Sequence, residues 1–266
     1  MPRVPALFVG HGAAVFTTAP TDPTRRFLAS LAPEVDSWKP RGIVVVSAHF
    51  AQAPLRVTGA QALETVHDHP AREVYDFRYP ARGTAELTNR VATAIRAMRW
   101  QVEVDEQRGL DHGAWVPLAA LQPDAKVPVV AVSLHASESV EQHLALGRAL
   151  APLRDEGLLV IGSGGTTHDQ QLFRQRFFTD AAVDEVPEVS RAFDAWVGEQ
   201  VTSAPGPARA EALARFASHP LGPKAHPTPE HFLPMVVVAA ASEPDAGVRR
   251  FTGFQHGLST SVFQFG

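Results

Sequence analysis

The sequence predicts an α/β protein with a central, mostly parallel or mixed sheet flanked by helices. Four short runs rich in valine, isoleucine and leucine lack strict alternation, which is typical of strands buried on both faces. These runs lie at residues 6–9, 43–46, 127–134 and 158–161. Helical patterns separate the runs, and strands interleaved with helices favour this fold class. The 266 residues can bury a sizeable core, so we expect one catalytic domain over residues 1–266.

Local signals predict where several helices begin and end. Asp22 followed by Pro23 starts a helix, because aspartate caps free amide groups and proline fits the first turn. Ser139 with Gln142 resembles a capping box, and Gly157 is expected to end that helix. Two further helices show apolar residues at helical spacing. Their members are Leu87, Val91, Ile95 and Met98 in one, and Val189, Phe193, Trp196 and Gln200 in the other.

The rest of the chain contains one short linker-like segment and one candidate strand. Residues 203–207 contain two prolines and a glycine and separate two helical patterns, but this segment is too short to indicate a domain boundary. Residues 259–265 alternate only partly, which predicts an edge strand at most. We find no internal repeat, heptad pattern or long low-complexity segment.

The composition excludes several classes of function. The formal net charge is -4 with both signs mixed, which argues against a nucleic acid or membrane partner held by bulk electrostatics. Because there is no cysteine, any metal must be held by nitrogen and oxygen ligands. The apolar stretch at residues 4–9 is too short for a signal peptide, and the longest run, near 235–241, falls short of the ~20 residues of a membrane span. We therefore expect a cytoplasmic protein.

Two of the twelve histidines directly follow predicted strands. His11 lies between two glycines after the first strand, and His49 follows the second strand after Ser47 and Ala48. Open α/β sheets bind their ligands at the carboxyl ends of strands. We therefore expect both rings to face a common ligand, with the alternative that each histidine simply ends its strand.

His231 lies in a segment that resembles a helix start. Thr228 is a good N-cap and Pro229 a good first helical residue, which places His231 in the first helical turn. The positive helix end disfavours a charged imidazole, so a neutral ring could bind a metal. Taken alone, the better interpretation is an ordinary exposed histidine, with Glu230 serving the helix dipole.

His168 follows the fourth strand through a flexible turn at residues 162–167. The turn lacks the Gly-Lys-Ser/Thr ending of a phosphate loop, and Thr167 occupies the third glycine position of a dinucleotide motif. Ser163 lacks the nucleophile elbow, because Ile161 stands where its first glycine should be. We therefore expect this loop to deliver His168 to the sheet edge.

Placement alone leaves too many candidate histidines. His112 follows Asp111, a candidate helix cap, and could be no more than a turn residue. His135 also follows an apolar strand, and His67 and His69 flank Asp68 in a loop.

Five segments, taken in order, resemble the class III extradiol ring-cleaving dioxygenases of the bacterial and plant DOPA 4,5-dioxygenase type. They are residues 6–12, 43–50, 110–115, 162–168 and 227–234. Residues 79–83 and 123–134 also fit. Any single segment is a weak signal, but the ordered set is specific and covers the chain from near residue 5 to the end.

The resemblance implies a role for five histidines. His11, His49 and His231 would hold a metal, with Glu230 as the carboxylate alternative to the third ligand. His168 would be a general base close to the metal and is also a candidate further ligand. His112 would face substrate and dioxygen. His135 does not belong to the family pattern, and His69 stands where relatives usually have an aromatic residue, so the substrate is left open.

The chemistry implied is cleavage of a catechol ring by dioxygen to a muconic semialdehyde. Fe(II) suits this reaction because it passes an electron between catecholate and dioxygen, whereas Zn(II) cannot, although a zinc-loaded protein would keep its geometry. His168 would accept a catechol proton, with an ordinary pKa of about 6.5. Two alternatives stay open, a zinc-dependent hydrolase on the same scaffold and a non-catalytic binding protein.

Overall fold

A computed structural model describes residues 3–17, 19–69, 72–177, 185–203 and 205–266. Ten strands run through these residues. They are β1 (Ala6–Gly10), β2 (Gly42–Gln52), β3 (Leu55–Thr58), β4 (Val102–Asp105), β5 (Val129–His135), β6 (Leu158–Gly164), β7 (Gly247–Phe251), β8 (Phe254–Gln255), β9 (Leu258–Ser259) and β10 (Val262–Phe265). Eight form one mixed sheet in the order β4-β3-β5-β2-β6-β1-β10-β7, and β8 pairs with β9 separately.

Nine α-helices lie within the described residues. They are α1 (Pro23–Ser37), α2 (Ala85–Arg96), α3 (His112–Leu121), α4 (Val140–Asp155), α5 (Gln170–Phe177), α6 (Glu188–Thr202), α7 (Pro207–Ala214), α8 (Gly222–Ala225) and α9 (Leu233–Ala241). The apolar residues of α2, α4, α6, α7 and α9 pack on one face of the sheet, and those of α1 and α3 pack on the other. The expected α/β layering is confirmed.

The four strands predicted from apolar runs are the parallel centre of the sheet. Strands β5, β2, β6 and β1 are neighbours and run parallel. Along β1, alternate residues enter the two opposite cores, which is why the run shows no polar face. The prediction of an edge strand near the C-terminus is wrong, because β10 lies between β1 and β7 and all four of its residues are buried.

The helix signals predicted at Asp22, Ser139 and Gly157 are found. The Asp22 side chain accepts from the Arg25 amide at the start of α1, and the Ser139 side chain accepts from the Gln142 amide at the start of α4. Gly157 follows α4 with φ of +88°, a conformation that favours glycine. Met98 lies beyond the end of α2 and is 40% exposed, so it does not belong to the predicted apolar stripe.

Among the described residues, no helix is both long and apolar enough to cross a membrane. A short segment separates α6 from α7, as the sequence indicated, but it covers residues 203–206 because Pro207 is the first residue of α7. Residue 204 lies outside the described residues.

Glycines in β6 let the turn before α9 and the first turn of α9 lie directly against the sheet. A β carbon at Gly164 would overlap the carbonyl group of His231, and one at Gly162 would overlap that of Pro234. Gly164 also accepts a hydrogen bond from the His11 amide at 3.1 Å, and Gly165 donates to the His231 carbonyl at 3.0 Å. Strand β6 therefore fixes the backbones of residues 11 and 231 relative to each other.

We predict that Gly164→Ala lowers the free energy of unfolding by about 1–3 kcal/mol, because the added methyl group must push the backbone at His231 away. Urea unfolding followed by circular dichroism measures the change. Gly165→Ala is the matched control. A β carbon at Gly165 would come no closer than 3.0 Å to another atom, the Thr167 carbonyl oxygen, whereas one at Gly164 would lie 2.1 Å from the His231 carbonyl oxygen. Equal stability of the two variants would contradict the close approach at Gly164.

Candidate metal centre

His11 and His49 reach the site from neighbouring parts of the sheet. His11 directly follows β1, as expected. The expectation for His49 is wrong in one respect, because β2 does not end before it but continues to Gln52. The pairing of β2 with β5 shifts register between Val46 and Ala51, and such bulges re-aim side chains next to active sites. His49 therefore points to the site from within a bulged strand.

His231 comes from the turn before α9. The predicted helix start at Thr228 is wrong, because α9 begins at Leu233 and the Thr228 hydroxyl instead donates to Glu230 Oε1 at 3.0 Å. The amides of Phe232 and Leu233 donate to the Pro229 carbonyl and close the turn. His231 is 4% exposed, so it is buried and is not the exposed histidine that this segment alone had suggested.

The Nε2 atoms of the three histidine rings lie close together. His11 Nε2 lies 3.1 Å from His49 Nε2, and His231 Nε2 lies 3.2 Å from the same atom. One ligand nitrogen from each ring lies within 4.8 Å of the other two. The structure thus brings together three residues that are far apart in the chain.

Hydrogen bonds fix which nitrogens carry protons. Ser163 Oγ donates to the Gly113 carbonyl, so at 3.1 Å it accepts from His11 Nδ1. The Glu230 carboxylate accepts from His231 Nδ1 at 2.9 Å. Neutral His11 and His231 therefore both present a lone pair at Nε2 toward His49 Nε2. One N–H on His49 could satisfy only one of them, so the cluster suits a cation.

Burial keeps these rings neutral. It lowers the pKa of His11, His49 and His231 well below the usual value, and neighbouring imidazoles lower it further. Metal ligation requires neutral imidazole, so this environment favours a metal over protons at neutral pH. The main cause of the lowered pKa of His231 is its burial in the site, whereas the sequence had suggested that the dipole of a helix keeps this ring neutral.

His112 lies beside the cluster and is held by Asp68. It is the first residue of α3, whose N-cap is Asp111, as the sequence suggested. His112 Nδ1 donates to Asp68 Oδ1 at 2.9 Å, and its amide donates to the same oxygen at 3.0 Å. The ring centroid lies 3.9 Å from that of His49. Burial raises the pKa of Asp68, but the hydrogen bonds from His112 outweigh it and hold that pKa below its usual value.

His168 stacks on His231 and stands apart from the group of three. The two ring centroids are 3.3 Å apart with planes 6° from parallel. Burial and then the neighbouring His112 lower the pKa of His168 to about 4. The ordinary value expected from the sequence does not hold at this site. The ring is therefore neutral at pH 7 and offers a lone pair that can accept a proton.

One cavity of about 710 Å³ connects these five histidines with a second group of residues. The second group comes from α5 and the β8–β9 hairpin, and includes Gln170, Phe173, Arg174, Gln255 and Leu258. His69 lines the cavity too, whereas His67 and His135 do not.

Sequence reasoning missed the residues that orient the rings. Ser163 pairs with Val9 in the parallel ladder of β6 and β1, next to His11, but only the strand order reveals that neighbour. His226 was not considered, yet its buried Nε2 donates to the Thr166 carbonyl at 2.8 Å and supports the loop before His168. Its position directly before the Pro227–Pro229 segment was the available signal.

Fold and site together define an α/β protein with a buried histidine centre suited to a metal. The family profile of the catalytic LigB subunit of aromatic ring-opening dioxygenase matches residues 5–262. The chain belongs to this family and is an extradiol ring-cleaving dioxygenase, as the sequence resemblance indicated. These findings favour ring opening over the hydrolase and binding-protein alternatives.

Named relatives agree with this assignment. The chain is 36% identical to 4,5-DOPA dioxygenase extradiol of Beta vulgaris, covering 89% of this chain and 86% of the relative. It is 33% identical to the Escherichia coli K12 protein of that name, with coverages of 90% and 85%. A crystal structure of an uncharacterized Escherichia coli K12 protein superposes with a TM-score of 0.80 at 30% identity, covering 99% of this chain and 100% of that one.

We predict that the metal-free protein loses stability as pH falls from about 6.5 toward 4. Unfolded histidines take up protons below about 6.5, whereas the folded site resists protonation, so the unfolded state gains protons first. Burial lowers the pKa of His226 to about 3, so this residue contributes to the fall of the free energy of unfolding with pH. His226→Gln keeps a hydrogen-bond donor without a titrating ring and is expected to make that fall less steep. Urea unfolding at each pH measures the free energy of unfolding. The interval from pH 7 to 9, in which this loss of stability is not expected, is the internal control. An unchanged slope in His226→Gln would contradict the assignment.

Proposed function

We propose that His11, His49 and His231 hold one metal ion through Nε2. The observation that carries this proposal is the convergence of two fixed lone pairs on His49 Nε2, at 3.1 and 3.2 Å. Glu230 accepts from His231 Nδ1 and fits the role of an orienting partner better than that of a ligand. The donor set of three imidazoles suits Fe(II) for activity, and Zn(II) is the ion that the isolated protein could carry instead.

The metal would act as a Lewis acid on the catechol and, as Fe(II), would pass an electron between substrate and dioxygen. The protein ligands come from β1, β2 and the turn before α9, while the cavity continues toward α5. A catechol ring and dioxygen are the proposed substrates, and a muconic semialdehyde is the proposed product.

His168 is proposed to accept a proton from the catechol. Its ring is neutral at pH 7, lines the cavity and lies face to face with the ligand His231. Its Nδ1 is buried 3.8 Å from Glu230 Oε1, beyond hydrogen-bond distance. His168 also forms a group with Glu230 and His231 whose ligand atoms could hold a cation, but in that group Glu230 Oε1 already accepts from His231 Nδ1. We therefore propose the role of base in preference to that of a fourth ligand.

His112 is proposed to donate a hydrogen bond to the reacting oxygen. The Asp68 carboxylate accepts from His112 Nδ1, which leaves Nε2 as the ring nitrogen that can contact the reacting oxygen. The same carboxylate also accepts from the backbone amide at the start of α3, so it fixes the orientation of the ring. We also propose that residues 1–266 act as one catalytic domain in the cytoplasm.

Anaerobic reconstitution with Fe(II), followed by a catechol panel read with an oxygen electrode, tests the function. We expect dioxygen uptake and a yellow product with Fe(II) and neither with Zn(II). Ester or amide hydrolysis with Zn(II), without dioxygen uptake, would contradict the proposal.

We predict that His11→Ala and His49→Ala abolish metal binding, because each removes one of three ligands. His112→Ala is expected to retain the metal and to lower turnover about 10²-fold or more, as for loss of a positioned donor. Metal analysis and oxygen uptake distinguish the two outcomes. His143→Gln is the control, because that buried ring bonds the Ser139 carbonyl and the His135 amide and does not line the cavity. Full metal content in His49→Ala would rule out the ligand assignment.

We predict that His168→Gln keeps the metal and lowers kcat about 10²–10⁴-fold, because the proton acceptor is lost. Raising the pH should partly restore its rate, since hydroxide then removes the catechol proton. Metal content and kcat against pH are measured on the same samples. Unchanged turnover with the metal retained would exclude His168 as the base, and loss of the metal would instead favour the ligand role.

A further inference from the structure

His49 differs from the other two proposed ligands in how its ring is held. Ser163 and Glu230 accept from the Nδ1 atoms of His11 and His231 and fix those rings. Within the part of the chain that the structure describes, no hydrogen bond to His49 Nδ1 is found. The orientation of the His49 ring therefore depends on its backbone and on the side chains packed around it.

The backbone of His49 lies in the bulge of β2. The pairing of β2 with β6 ends at Ser47, and its pairing with β5 shifts register between Val46 and Ala51. The His49 amide donates to Ser47 Oγ at 3.2 Å, and the His49 carbonyl accepts from Arg108 Nη2 at 3.2 Å. Two side chains therefore bind the backbone of His49 where the regular strand pairing is interrupted.

One buried carboxylate joins these two side chains. Asp111 is 1% exposed, and its Oδ1 accepts from Ser47 Oγ at 2.6 Å while its Oδ2 accepts from Arg108 Nη2 at 2.9 Å. Hydrogen bonds between ionised groups are stronger than neutral ones, so this pair holds Arg108 firmly. The guanidinium carbon of Arg108 also lies 4.3 Å from the centroid of the Phe50 ring. Arg108 thus contacts two consecutive residues of the bulge, His49 and Phe50.

The start of α3 restricts the His49 ring from another side. A β carbon at Gly113 would overlap Ser47 Oγ and would lie 3.0 Å from His49 Cδ2. The ring therefore packs directly on the backbone of α3 and has little room to rotate. Asp111 is the N-cap of the same helix and accepts from the Ala114 amide at 3.2 Å. The bulge and the start of α3 are consequently bound to one carboxylate.

We propose that Arg108 is a positioning residue that directs His49 Nε2 toward the metal. Arg108 does not line the cavity, so it acts through the backbone of His49 and through the Phe50 ring. This inference rests on the proposed metal site. Arg108 is a better residue to change than Asp111, because loss of the carboxylate would also remove the cap of the helix that begins with His112.

The first test measures the Kd for Zn(II) by competition with a chelator. Arg108→Met keeps an apolar stem and loses every hydrogen-bond donor of the guanidinium. We expect its Kd to rise about tenfold or more, as is typical when a partner that orients a metal ligand is removed. Arg108→Lys keeps the charge and a hydrogen-bond donor, so it should recover part of the affinity.

Arg90→Gln is the matched control. Arg90 is also a partly exposed arginine paired with a carboxylate, since its Nε donates to Glu156 Oε2 at 2.6 Å, and it does not line the cavity. We expect its Kd for Zn(II) to equal that of the wild type. An equal rise in Kd for Arg90→Gln and Arg108→Met would overturn the inference.

The visible absorption of the Co(II)-loaded protein separates positioning from a general loss of stability. The spectrum of bound Co(II) depends on the geometry of its ligands. A displaced His49 ring should therefore change the spectrum in Arg108→Met. Partial unfolding alone would lower the amount of bound ion and leave its spectrum unchanged, and that result would contradict the inference.

A second variant guards against misfolding. Arg108→Met leaves the buried Asp111 carboxylate without its cation, which is costly. Arg108→Met combined with Asp111→Asn removes both charges and keeps an amide oxygen for Ser47 and the Ala114 amide. We expect the same loss of Zn(II) affinity and the same change in the Co(II) spectrum as in the single variant.

The wild type distinguishes failure of this inference from failure of the metal site. If the wild type binds Co(II) and His49→Ala does not, an unchanged Kd and spectrum in both Arg108 variants would overturn the inference and leave the metal site in place. A wild type that binds neither Zn(II) nor Co(II) would overturn the metal site and the inference together.

Discussion

The site depends on one constraint, which is that two imidazole lone pairs are forced to face the same nitrogen. His11 and His231 cannot turn their Nδ1–H groups elsewhere, because Ser163 and Glu230 hold them. Without a cation, lone pairs at 3.1 and 3.2 Å from His49 Nε2 leave at least one buried polar nitrogen unsatisfied. This arrangement suits a ligand that accepts electron pairs, and we propose that a metal ion is that ligand.

The fold meets this constraint through backbone features more than through the histidines themselves. Parallel pairing of β1 with β6 places Ser163 beside His11, and the bulge in β2 directs His49 inward. Gly164 lets the turn carrying His231 approach the end of β6. Each of these features acts at the carboxyl ends of central strands, where open α/β sheets bind their ligands.

The residue patterns were sufficient for the central sheet, but the ordered resemblance to a known family was needed to select the histidines that meet in the site. The strands were predictable because double-sided burial removes polar residues from their runs, as in β5. The predictions that failed concern features set by residues far away in the sequence. The burial of β10 requires β7 to pair outside it, and the start of α9 depends on packing against Gly162. The neutral state of His168 likewise follows from burial, which no local pattern encodes.

X-ray absorption spectroscopy of the Fe(II)-loaded protein under anaerobic conditions tests the central claim most directly, because it counts the imidazoles around the metal. We predict one iron per chain with three imidazole nitrogens among its ligands. Removal of the His231 ring should leave two. Iron bound with one imidazole or none would contradict the account.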